Sequence, residues 1–168
     1  MRARMLKTAL IAVLVLMNVA CDQATKHVAR ARLADRGTVF VVGDLFVLRY
    51  VENEGAFLGL GARFPRPVRT LFFIAIPLAA LAGMVVTAAR RRVTSWTLVV
   101  GLSFVAGGGF GNLIDRLARG GLVSDFMNLG IGPHRTGIFN FADLSILIGC
   151  ALILLSPWGR GRPADAKD

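Results

Sequence analysis

The stretch Phe139–Leu155, FNFADLSILIGCALILL, decides how this chain is read. From Leu144 onward it reads as a membrane helix, yet Asp143 stands at its mouth and Asn140 lies one helical turn earlier. A carboxylate at the centre of a membrane helix costs about 2.5–3.5 kcal/mol on insertion scales, and less near an interface. An aspartate kept at such a place calls for a functional explanation.

The rest of the composition agrees with a membrane setting. The chain has 168 residues, enough for one domain, and is 55% hydrophobic and only 18% charged, with a mean hydropathy of +0.62. That is too apolar for an ordinary soluble domain. The net charge of +10 could suggest nucleic acid, but the basic residues are dispersed around apolar segments and no nucleic-acid-binding motif is present, so no nucleic-acid partner is expected. Cys21 and Cys150 each lie in or beside an apolar run. They read as small apolar residues, not as a disulfide framework.

Four apolar segments follow one another: Thr8–Cys21, Leu71–Ala89, Trp96–Ile114 and Ile138–Trp158. About 20 apolar residues cross a hydrocarbon core. The expected architecture is an α-helical membrane protein, a single integral membrane domain over residues 1–168, with four transmembrane helices at about 8–26, 69–89, 95–116 and 138–157. Four spans put both termini on one side. Nine Lys and Arg residues fall on the side of the termini and eleven on the other. The nine sit in shorter loops close to helix ends, which favours cytoplasmic termini. Between the first two spans, residues 37–61 are rich in Val and Phe and carry turn signals at Gly43-Asp44 and Glu54-Gly55. This segment is expected to form a small β-rich cradle on the extracytoplasmic surface.

The polar residues that remain are concentrated. Asn112, Asp115 and Arg116 share one face of the third span, beside Gly107, Gly108, Gly109 and Gly111,. Asp125 follows in an expected loop after Gly120-Gly121, and Asn140 and Asp143 open the fourth span. With four spans, all of these reach the same membrane face, together with Asp22, Gln23 and Lys26 at the end of the first span and Asn53 from the β-rich segment. Each has a plainer reading. Asp115–Arg116 reads first as an interfacial anchor, Asp22–Lys26 as an i,i+4 pair, the asparagines as partners of loose helix-end carbonyls, and the glycines as packing. What singles out Asp125 and Asp143 is that four spans would bring two carboxylates together at one membrane edge.

Other chemistries lack their parts. His27 and His134 are the only histidines, no serine has a paired base, and no metal-ligand spacing, phosphate-binding loop or dinucleotide fingerprint occurs,. No metal and no cofactor is expected. Two close carboxyls cannot both ionise cheaply, so they share a proton. The charged one then acts as base on a water while the protonated one polarises a carbonyl. An alternative from another class is a small transporter or channel subunit with Asp143 and Arg116 lining a polar path. A purely structural membrane partner is a third.

Five stretches, DQATK (Asp22–Lys26), NEGAF (Asn53–Phe57), GGGFGNLIDR (Gly107–Arg116), VSDF (Val123–Phe126) and FNFAD (Phe139–Asp143), resemble in order and spacing the motifs of lipoprotein signal peptidases, the signal peptidase II family. The resemblance covers almost the whole chain. It implies a metal-independent intramembrane aspartyl endopeptidase of the bacterial inner membrane, with its site toward the periplasmic face. The implied partners are membrane lipid and prolipoprotein signal peptides carrying a diacylglyceryl-Cys, cut before that Cys. By motif position it implies Asp125 and Asp143 as the catalytic pair, Asn112, Arg116 and Asn140 as supporting residues, and further motif roles for Asp22, Lys26 and Asn53. One departure stands out: only Ala56 separates Gly55 from Phe57, where the family pattern has two small residues.

The N-terminus carries a rival signal. A basic start, an apolar run and Ala20-Cys21 resemble a lipoprotein signal peptide, but Asn18 stands where that motif wants Leu,. Cys21→Ala is therefore expected to keep cleavage activity, and intact-mass measurement is expected to find Met1–Ala20 still attached. An N-terminus at a lipidated Cys21 would be the contrary result.

Overall fold

The computed structural model describes residues 2–55, 63–90 and 95–156. The elements run α1 (Arg2–Leu33), β1 (Val39–Val42), β2 (Phe46–Asn53), α2 (Arg66–Thr70), a π-helical turn (Leu71–Ala75), α3 (Ile76–Arg90), α4 (Trp96–Ala118), β3 (Val123–Ile131), β4 (His134–Arg135) and α5 (Phe141–Leu155). Ala56, Phe57 and the remainder of the expected β-rich segment to 61 lie outside the described residues, as do Arg91, Arg92, the expected helix end at 157 and the basic tail with Arg160, Arg162 and Lys167.

Among the described residues, three helical stretches are long and apolar enough to cross a membrane: Met5–Leu33, Arg66–Met84 and Trp96–Ala118. The last helix, α5, is apolar but has 15 residues, about 22 Å at 1.5 Å per residue, against a hydrocarbon core of about 30 Å.

The helix α4 is the hub, because its glycines let two neighbours approach to backbone contact. A Cβ at Gly108 would lie 2.4 Å from the Ala142 carbonyl oxygen of α5, and one at Gly149 of α5 would lie 2.7 Å from the Gly101 oxygen. On another side a Cβ at Gly107 would lie 2.5 Å from Cβ of Asn18 on α1. Only residues without side chains permit such crossings. Leu81 of α3 packs against Ala106 and Leu113 of α4 as a more ordinary apolar seam.

The strands form one antiparallel sheet in the order β1-β2-β3-β4. Two sequence expectations change here. The segment between the first two spans supplies only β1 and β2. The other two strands come from between α4 and α5, so the sheet joins both connecting segments. Asp125, expected in a loop, lies on β3 opposite Val51. The physical reason is that Val123–Phe126 is buried throughout. A strand covered on both faces shows no alternation of polar and apolar residues for a sequence reading to find. The first helix also runs past residue 26 to Leu33, because Ala29 and Leu33 pack under the sheet against Phe126. Gly120 and Gly121, at φ 64° and 99°, end α4 and turn the chain sharply into β3.

The tight α4–α5 crossing yields a prediction. Gly108→Val is expected to lower stability by at least about 1–3 kcal/mol, the usual range for overpacking. Gly83→Ala, where a Cβ meets nothing within 4 Å, is expected to be neutral or mildly stabilising. Thermal unfolding of both variants in one detergent checks the contrast.

Candidate active site

The site begins with how α5 starts. Asn140 is its N-cap, and Asp143 three residues on closes a reciprocal capping box,. The Asn140 Oδ1 accepts from the Asp143 amide at 3.0 Å, and Asp143 Oδ2 accepts from the Asn140 amide at 3.1 Å. One oxygen of Asp143 is thus engaged locally. The other, Oδ1, accepts from Asn112 Nδ2 of α4 at 2.9 Å.

With its oxygen used by the cap, Asn140 directs its Nδ2 away from α5. That amide donates to Asp125 Oδ1 at 2.6 Å and to Asn112 Oδ1 at 3.1 Å. The second oxygen of Asp125 accepts from Asn53 Nδ2 at 2.9 Å. Asn53 sits at the end of β2 opposite Val123, so Asp125 is its diagonal neighbour on the same face of the sheet,. Its own Oδ1 accepts from the Gly55 amide at 2.9 Å. Asp125 and Asp143 are therefore joined through one asparagine, each with a second amide donor. Burial raises the Asp125 carboxyl, the amide of Asn53 pulls it back, and the Asp143 charge pushes it up again, leaving it at about 6.

Behind this pair lies a buried charge cluster. Lys26 is 0% exposed, as is Asp22, and their ion pair measures 2.8 Å. Asp115 of α4 lies 3.4 Å from the same ammonium. The ammonium also donates to Asn112 Oδ1 at 2.9 Å. Two donors on Asn112 Oδ1 oblige its NH2 group to face Asp143, so Lys26 sets the orientation of that amide. The surplus negative charge is met by the Ala142 amide on Asp22 Oδ1, the Ser124 amide on Asp115 Oδ2, and the Gln23 side chain, which donates to both carboxylates.

Arg116 does not ion-pair with either aspartate of the pair. Its guanidinium donates to the Gly55 carbonyl at 2.9 Å and stacks over Phe73, 5.6 Å from the ring centroid. It acts on the loop that holds Asn53. Beyond it, Arg119 bonds Tyr50, Glu52 and Ser124, and Arg30 reaches Ser124 at 3.3 Å, tying α1, α4, β2 and β3 together.

All eight residues singled out from the sequence thus fall in one contiguous region: Asp22, Lys26, Asn53, Asn112, Arg116, Asp125, Asn140 and Asp143. Sequence reasoning passed over Ser124, whose amide anchors the strand beside Asp125, and the pair Asn18–Ser145, whose 2.8 Å bond links α1 to α5. The signal for Asn18 was present: Asn18, Asp22 and Lys26 are spaced four apart on one helix face,. Among the described residues no group of three or more His, Cys, Asp or Glu side chains is placed to hold a metal.

Helices of membrane length, two aspartates bridged by Asn140 and a small antiparallel sheet define a helical membrane protein with a buried polar centre. Comparison with known proteins narrows this. The family model described as signal peptidase (SPase) II matches residues 13–158, and the chain belongs to the signal peptidase II family. Similar proteins named lipoprotein signal peptidase include one from Halothermothrix orenii, 32% identical over 91% of this chain and 98% of the relative. Another, from Geobacter metallireducens, is 36% identical over 83% and 84%. One from Pelotomaculum thermopropionicum is 37% identical over 79% and 80%. Among solved structures, a bacterial membrane enzyme determined by the in meso method at 2.3 Å resolution superposes with a TM-score of 0.76 at 26% identity, over 87% of this chain and 85% of that one. A second, at 1.9 Å resolution, has the same score at 25% identity, over 87% and 90%.

The charge cluster makes its own prediction. Lys26→Met leaves Asp22 and Asp115 buried without a cation and is expected to lose about 3–5 kcal/mol. Adding Asp22→Asn and Asp115→Asn is expected to recover most of that loss. Unfolding midpoints of the single and triple variants in detergent measure both.

Proposed function

We propose that this chain is an aspartyl endopeptidase that removes the signal peptide from diacylglyceryl-modified prolipoproteins, cutting before the lipidated Cys. The observation that carries the reading is Asn140 bonding to both Asp125 and, through its backbone, Asp143. The family membership supplies the substrate class, and it leaves the transporter and purely structural readings without support.

The chemistry follows from the two environments. Asp125 carries the shared proton, because burial lifts its pKa to about 6 and substrate binding excludes more water. Asp143 supplies the carboxylate, its two oxygens held by the Asn140 backbone amide and the Asn112 side chain at the start of α5. Its carboxylate takes a proton from a water, whose oxygen attacks the scissile carbonyl carbon. Asp125 donates its proton to the developing oxyanion and takes it back as the carbonyl re-forms. Collapse of the tetrahedral species breaks the C–N bond, and the proton taken from water passes to the leaving amine. The asparagines hold both carboxyls in place, and Arg116 fixes the Gly55 backbone against which Asn53 is set.

The membrane arrangement is proposed with it. The three long apolar helices and α5, continued to about residue 157, form four spans. Both termini are cytoplasmic, and the sheet lies on the periplasmic surface of the inner membrane. The site then meets a lipidated Cys at the outer interface, where water is at hand.

Asp125→Asn and Asp143→Asn are each expected to lower turnover of a purified lipidated prolipoprotein by at least about a hundredfold, the low end of acid–base contributions, with insertion unchanged. Normal cleavage by either variant contradicts the assignment. Chelation with EDTA is expected to leave cleavage intact. For pH, loss of the Asp125 proton makes the pair dianionic, so kcat/KM is expected to fall as pH rises through about 6. Asn53→Ala removes a donor that favours the carboxylate, so it is expected to move this alkaline limb upward. A limb that stays fixed in Asn53→Ala indicates another titrating group.

A further inference from the structure

A cavity of about 230 Å3 opens beside the aspartate pair without including either aspartate; Glu54, Arg66, Arg69, Phe73, Ile74 and Arg116 are among the residues that line it. Three guanidinium groups against one carboxylate leave a net positive charge. Arg69 is paired with Glu54, while Arg66 makes no ion pair among the described residues. The Nε of Arg116 is buried and has no hydrogen-bond partner among the described residues, while another nitrogen of the same guanidinium donates to the Gly55 carbonyl. A guanidinium whose donors are not all satisfied favours an anion placed against it.

The other wall is apolar. Phe73 and Ile74 lie on the π-helical turn at the polar end of the span Arg66–Met84, and Leu71, Phe72, Ile76 and Leu78 on the same helical path are exposed. A cationic mouth continuous with a hydrocarbon-facing helix suits a molecule with an anionic head and attached acyl chains. A soluble anion would use only the first half, and an uncharged diacylglycerol only the second. Arginine favours phosphate because its planar fork donates two parallel bonds.

We propose that this cavity binds the phosphate of an anionic membrane phospholipid, seated on Arg66, Arg69 and Arg116, next to the peptidase site. The cavity shares Arg116 with the peptidase site and includes neither aspartate. Its occupant is a resident lipid, coupled to the aspartate pair through the Arg116–Gly55–Asn53–Asp125 chain of hydrogen bonds.

Native mass spectrometry of the full chain in detergent tests this directly and does not depend on cleavage. Wild type and Arg66→Gln/Arg69→Gln are offered phosphatidylglycerol, the matching diacylglycerol without phosphate, or glycerol 3-phosphate without chains. Glu54, freed in the double variant, is more than half exposed, so folding is expected to hold, and the melting temperature checks it. Wild type is expected to retain phosphatidylglycerol over diacylglycerol by about tenfold or more, the scale of one charge-assisted hydrogen bond. The double variant is expected to lose that preference. Equal retention by both proteins, or of both lipids, overturns the proposal. Retention of glycerol 3-phosphate as strong as that of the lipid also overturns it, in favour of a soluble-anion site. If the double variant melts early, Arg66→Gln alone is read against the same outcomes.

Discussion

The ammonium of Lys26 is fully buried, its side chain 0% exposed. A buried cation is tolerated only when charges and hydrogen bonds match it on every side, and here the match is made by Asp22, Asp115 and the oxygen of Asn112. The two carboxylates outnumber the ammonium, so they need further donors. They find them in the backbone amides of Ala142 and Ser124. Those amides belong to the first turn of α5 and to the residue before Asp125. Satisfying one lysine therefore fixes where both aspartates of the pair begin.

The same constraint orients the amides between them. Asparagine is symmetric in shape but not in chemistry, and a flipped Asn112 would aim an oxygen at Asp143. The Lys26 ammonium forbids that flip. Asn140 is locked in turn because its oxygen caps α5 and its nitrogen must then point at Asp125. Polar groups buried this way raise the cost of any misplacement, which is how a network gives one geometry instead of several. The glycines of α4 serve the arrangement by letting α1 and α5 come close enough for these short side chains to meet.

Much of this was legible in the sequence, and the parts that were not share a cause. The apolar helices announce themselves by composition, and the polar residues are conspicuous because nothing else around them is polar. Asn140 and Asp143 could be placed at a helix start by spacing alone, and Asn112 on the third apolar helix, whereas Asp22, expected at the end of the first, lies eleven residues inside it. The strand that carries Asp125 could not, since burial on both faces erases its alternation. The partner of Arg116 was equally hidden. Its guanidinium meets a backbone carbonyl, and backbone atoms carry no identity in a sequence. The length of α1 was underestimated because its last turns pack against a sheet whose second half lies ninety residues further along the chain.

The central claim is that Asp125 and Asp143 share one proton in this setting, with Asp125 holding it. Infrared difference spectroscopy of the purified protein reads the C=O stretch of a protonated carboxyl directly. The account predicts one such band that titrates with a midpoint at about 6, is absent in Asp125→Asn, and shifts in Asn53→Ala. A band that persists unchanged in Asp125→Asn, or none above the ordinary carboxylate range in the wild type, would contradict it.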